Sequence, residues 1–159
     1  MRTLPLSSAA LALVAVSACS IFSGRPDPRW AGYREWTPVI RGLTGDPDEQ
    51  LDDAHEAAAG YRNVFVNDVG RETMLGDGPY VYPVGTVIVK EQFPDEASWR
   101  ADTDPTLTVM LKVSAGEGEE TWHWATGWNG AAPNRFCANC HDHVEEDDFV
   151  FTNGSVLGS

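Results

Sequence analysis

Cys137-Ala138-Asn139-Cys140-His141 places two thiols three residues apart, with an imidazole directly behind the second. On a turn of helix, residues three apart share a face. Both sulfurs can then reach the vinyl groups of one porphyrin and close two thioethers, while His141 is aimed at the iron. Cys-x-x-Cys-His is the attachment pattern of c-type haem. Haem iron takes an axial imidazole readily, and covalent attachment holds the cofactor even where the core is modest. The expected cofactor is one covalent haem c, bound by Cys137, Cys140 and His141, with His141 as the metal ligand. Two other chemistries draw on the same side chains. Zinc could use Cys137, Cys140 and His143, although it usually wants four ligands in two separated pairs, and there is no second cysteine pair. A Cys137/Cys140 redox disulfide suits an oxidising compartment, although such motifs normally sit in a βαβ setting that this chain lacks.

The N-terminus bears on the compartment. Residues 1–18 carry one early positive charge, Arg2, then the apolar run Ala9 to Val16, and close on small residues, which reads as an export signal. The run is short for a membrane span. Val16-Ser17-Ala18-Cys19 resembles a bacterial lipobox, with Cys19 as the lipidated first residue of the mature chain; ordinary signal cleavage nearby is the alternative. Ser20, in place of Asp, implies sorting to the outer membrane, facing the periplasm or the cell surface. The three cysteines are then all used, one by lipid and two by haem. No odd thiol is left over in an exported protein. Residues 19–29, with Ser, Gly and Pro and no periodicity, form the tether. Residues 30–159 form a single domain, small enough that a bound haem matters to its stability.

Charge narrows the partners. Arg2 is the only charged residue before Cys19, so the mature chain carries 10 basic and 24 acidic side chains, a net charge of −14. That excludes nucleic acid and anionic lipid as partner surfaces. A redox partner protein and small neutral or cationic ligands remain, with membrane contact through the lipid alone. Solubility of an exported protein explains the acidity equally well.

The elements that must position the motif follow in chain order. Trp30, Tyr33 and Trp36 supply large apolar area for a core or a lid. Asp46-Pro47-Asp48-Glu49 opens a helix that runs to about Ala59 and stops at Gly60; His55 on it reads as a surface or packing residue. Tyr61 to Val66 is a strand, and Asn67-Asp68 begins a short helix to Leu75. Gly85 to Phe93 and Thr106 to Ser114 are strands joined by the polar stretch Pro94 to Pro105. Thr121 to Trp128 is another, and Phe149 to Thr152 a short last one. Alternation gives Leu107, Val109, Leu111 and Val113 one face, opposite Thr108, Met110, Lys112 and Ser114. The apolar face is where a core or a haem is expected to pack. Strands with a few short helices make the fold class α+β.

The segments Tyr82-Pro83-Val84-Gly85-Thr86-Val87-Ile88-Val89-Lys90-Glu91 and Val109-Met110-Leu111-Lys112 precede a Trp-rich strand. The near-C-terminal Cys-x-x-Cys-His and Asp148-Phe149-Val150-Phe151-Thr152 follow it. In that order, over roughly residues 61 to 152, they resemble the cytochrome P-460 and cytochrome c′-beta family. The resemblance implies a mainly antiparallel sheet packed on one c-type haem, His141 as proximal ligand, a distal side open to small ligands, and a homodimer. One branch of the family oxidises hydroxylamine, often together with nitric oxide, and carries a lysine bonded to the porphyrin. The other has a Phe-lined pocket that binds nitric oxide or carbon monoxide.

The chain has two lysines, Lys90 and Lys112. Resemblance favours Lys90 for any crosslink, but alternation puts both on the more polar face of their strands, where a solvated lysine is the default. With haem on the other face, Glu91 becomes the proton acceptor and Phe93 the steric cap over the iron. That reading favours small-gas binding at a five-coordinate haem over hydroxylamine oxidation. The rival is a six-coordinate electron carrier that takes Met74, Met110, His123 or His143 as second ligand.

Overall fold

The structure, a computed structural model, describes residues 27–44, 60–116 and 118–152. The export signal, Cys19, most of the tether and the helix expected over residues 46–59 lie outside the described residues. Five strands run as an antiparallel meander: β1 (Pro38–Thr44), β2 (Tyr61–Val66), β3 (Val87–Phe93), β4 (Thr106–Lys112) and β5 (Trp122–Thr126), each beside its neighbour in sequence. β2 to β5 are rich in β-branched and aromatic residues, which suit a pleated surface. Three short helices complete the described fold: α1 (Asp68–Leu75), α2 (Glu96–Ala101) and α3 (Arg135–His141), with 3-10 turns at Tyr33–Glu35, Glu119–Thr121 and Asp142–Asp147.

Register assigns the residues of each strand to faces. Val66, Ile88, Met110 and Trp124 form one row across the sheet, and Phe65, Val89, Val109 and Ala125 form the row behind it. Neither face is left wet. The Phe65 row packs under Trp30 and Tyr33 of the N-terminal segment. The Val66 row is covered by Met74 of α1, Tyr80, Tyr82, Ala138 of α3, Phe149 and Val150. Val64, Val66, Val89 and Val109 are each within 1% of complete burial, worth roughly 1.5–3 kcal/mol apiece.

Three local expectations are corrected. Phe149 to Thr152 is not a strand: Asp148 and Phe149 have φ of 53° and 66°, and the chain turns there. The stretch joining β3 to β4 contains α2, whose N-cap Asp95 accepts from the Ser98 amide at 2.7 Å. β1 is an additional strand; register shifts on both sides of Ile40 interrupt its alternation.

α1 is tied to the sheet by its N-cap. Asn67 Oδ1 accepts from the amides of Gly70 and Val87, and its Nδ2 donates to the Gly85 carbonyl at 2.9 Å. Gly70 is required by close approach, because a Cβ there would stand 2.3 Å from the Thr86 methyl.

Candidate haem-binding site

α3 is docked at both ends. Before it, Ala132 pairs with Trp124 of β5 through two backbone hydrogen bonds of 2.9 and 3.0 Å, which adds a bridge to the sheet edge. Asn134 then caps the helix, its Oδ1 accepting from the amides of Phe136 and Cys137. Ala138, 2% exposed, is the contact by which the helix enters the core beneath the Val66 row. Cys137 and Cys140, three apart, are both free thiols and half-buried. Burial and then the neighbouring Cys140 push the Cys137 thiol above its usual pKa, against the opposing pull of Lys90.

His141 is 8% exposed at the end of α3. Its Nδ1 lies 2.6 Å from the backbone carbonyl of Phe149. A carbonyl can only accept, so Nδ1 carries the proton and the lone pair sits on Nε2. Burial pushes the imidazole pKa down to about 4, with the Phe149 carbonyl acting in the opposite sense and the charge of Lys90 lowering it further. The ring is therefore neutral near pH 7, the state a metal ligand needs. The Trp124 and Phe151 rings flank it, with centroids at 6.3 and 5.1 Å.

Lys90 belongs to the same face of the sheet as Ile88, and its charge acts on both Cys137 and His141. α3 covers the face opposite Leu107, Val109 and Leu111, which is the more polar one. Glu91 is therefore not brought together with Cys137 and His141. It sits behind the sheet, 2% exposed, accepting from Tyr33 Oη at 2.7 Å, Asn63 Nδ2 at 2.9 Å and Arg34 at 2.8 Å. Phe93, two residues on and 1% exposed, shares the Glu91 side of β3 by alternation.

The alternative ligands are also placed. Met74 sulfur accepts from Tyr82 Oη at 3.5 Å and Thr152 Oγ1 at 3.7 Å, inside the core. His123 pairs with Leu111 and alternates away from Trp122 and Trp124, onto the Glu91 side. His143 is exposed. Met110 shares the Lys90 face. Among the described residues no group of three His, Cys, Asp or Glu side chains is arranged to hold a metal ion, so Cys137, Cys140 and His143 do not assemble a zinc site.

Other features of the site carry little local signal in the sequence. The Phe149 carbonyl leaves no side-chain signal. Trp124 is one residue of a Trp-rich strand. Lys112 and Asp148 pair across 36 residues, which spacing does not reveal.

A sheet with one face closed by a thiol pair and a buried neutral imidazole on a single short helix is the layout of a haem protein, outside the all-helical cytochromes. The chain belongs to the cytochrome P460 family, whose model matches residues 30–152. A search of curated proteins finds no match. Membership implies a haem cofactor, and the residues present fit one. Beside the two thiols and the neutral His141, the indole Nε1 of Trp124 is buried with no hydrogen-bond partner. It is a donor ready for an acceptor that the polypeptide does not supply.

Proposed function

We propose that this protein is an exported mono-haem c-type cytochrome that binds small ligands, nitric oxide, carbon monoxide or hydroxylamine, at a five-coordinate iron. Cys137 and Cys140 hold the haem through thioethers, and His141 supplies its one protein ligand. When bound, the haem provides an iron that exchanges electrons and accepts a small ligand. The observation that carries the reading is the convergence of Cys137, Cys140, His141 and Lys90 on one face of the sheet, with the His141 lone pair on Nε2. The remaining residues keep that face dry: Trp124, Phe151 and the Val66 row exclude water around the imidazole.

The six-coordinate carrier has less support. Of its four candidate ligands, Met74 sulfur is engaged by two hydroxyls, His123 lies behind the sheet and His143 is exposed, which leaves Met110, on the face that α3 covers. Lys90 supports the hydroxylamine-oxidising branch more than strand alternation alone did, because the polar face is the face that α3 covers. Lys112 is held by Asp148, and Lys90, whose charge acts on Cys137 and His141, is the lysine for any porphyrin bond. Cys19 anchors the protein to the outer membrane in the same proposal.

An absorption spectrum of protein matured with haem tests this reading. A high-spin spectrum whose Soret band moves on adding carbon monoxide to the reduced protein is expected. A low-spin spectrum indifferent to carbon monoxide contradicts it and favours the electron carrier.

A further inference from the structure

Behind His141 lies a buried ion pair that haem attachment does not use. Asp148, 7% exposed, accepts on Oδ1 from Lys112 Nζ at 2.5 Å and Trp122 Nε1 at 3.1 Å, and on Oδ2 from the Tyr82 amide at 2.9 Å. The Lys112 side chain is fully buried. Its ammonium also donates to Thr121 Oγ1 at 2.9 Å and to the Gly116 carbonyl at 3.2 Å, and stands 5.0 Å from the Trp122 ring centroid. β4, β5 and the loop before β3 thus converge on one carboxylate.

Fold stability alone does not account for such a pair. Two buried charges lose much of their attraction to desolvation, and apolar residues of similar volume often serve as well or better. What the pair fixes is the backbone around it. Asp148 and Phe149 both adopt left-handed φ, 53° and 66°, a conformation disfavoured for a bulky residue and kept only where the surroundings over-determine it. The product of that turn is the Phe149 carbonyl, 2.6 Å from His141 Nδ1.

We propose that Lys112 and Asp148 are positioning residues for the proximal imidazole: the pair locks the turn that presents the Phe149 carbonyl to His141. The proposal rests on the reading of His141 as the iron ligand. An imidazole whose distal N–H is held by a strong acceptor is fixed in orientation and becomes a more basic ligand. Loosening the turn weakens that hydrogen bond, which weakens the iron–histidine bond and destabilises the ferric state.

The test uses haem-loaded protein carrying Lys112→Met together with Asp148→Asn. This double variant removes equal and opposite charges, so a through-space electrostatic effect largely cancels. The ferrous iron–histidine stretching band in resonance Raman is expected to move to lower frequency, and the reduction potential to rise. Trp122→Phe, which keeps the ion pair and removes one donor to Asp148, is expected to shift the band less and in the same direction. It also keeps the test available if the double variant does not fold. A band at the wild-type frequency in haem-loaded variants overturns the proposal. A wild-type protein without the band contradicts the haem reading itself, and the proposal with it.

Discussion

Lys90 and Glu91 are neighbours in β3 and face opposite sides of the sheet: the charge of Lys90 acts on Cys137 and His141, while Glu91 is held behind the sheet by Tyr33, Asn63 and Arg34. The two side chains therefore belong to different parts of the protein. Glu91→Ala leaves the partners of a buried carboxylate unsatisfied and is expected to destabilise the fold by roughly 1–3 kcal/mol. Carbon monoxide binding by the reduced protein is expected to stay as in wild type. Altered ligand binding with an unchanged melting temperature would return Glu91 to the haem site.

Lys90→Met removes the positive charge that acts on Cys137 and His141 and keeps both cysteines. Ferric haem is then less destabilised, so the reduction potential is expected to fall while the haem stays attached. An unchanged potential would place Lys90 away from the haem. Proteolytic mapping of the wild type assigns the branch. A haem peptide that carries a second peptide containing Lys90 marks the hydroxylamine-oxidising architecture; Lys90 recovered unmodified marks the gas-binding one.

Tyr33 supplies a pH dependence on the far side of the sheet. Burial first, and the nearby Glu91 as well, push its hydroxyl from 10.0 up to about 12, against the opposing pull of Arg34. A folded-state value above the unfolded one means that the contribution is complete below pH 10 and is lost as pH rises towards 12. The urea midpoint is expected to fall across that window, and Tyr33→Phe to flatten the fall. Equal slopes in the two proteins would contradict the assignment.

Anchoring through Cys19 is tested by metabolic labelling with a fatty-acid analogue. Label is expected in the wild type and absent from Cys19→Ala. A soluble, unlabelled wild type would make the N-terminal signal an ordinary one.

Much of the architecture was legible because local chemistry and global structure agree there. The spacing of Cys137 and Cys140 suits a turn of helix, and α3 is a helix. The alternating β-branched runs of β2 to β4 are strands, and Asn67 caps α1 as its position before the helix predicts. β1 was hidden because Pro38, Arg41 and Gly42 break its pattern and shifts in register break it again. α2 is only six residues long and was announced by Asp95 alone.

The face that α3 covers is hidden in the sequence for a more general reason. Alternation separates core from solvent only when one face of a sheet is wet, and here both are covered. The polar side chains of the β3 and β4 faces were therefore interior groups with particular partners. Lys112 meets Asp148 and Glu91 meets Tyr33, across separations in sequence that no local pattern encodes. The Phe149 carbonyl is a backbone group, aimed by a turn at Asp148 and Phe149 that opens a run, Phe149 to Thr152, rich in strand-forming residues.

Attachment of haem is the claim on which the account depends, and intact mass measures it directly. Protein produced with a c-type maturation system is expected to exceed its polypeptide mass by one haem under denaturing conditions. The Cys137→Ala, Cys140→Ala variant is expected to return to the mass of the polypeptide alone. A wild type at the bare polypeptide mass, or a double variant that keeps covalent haem, would contradict the assignment of Cys137 and Cys140 as the attachment site.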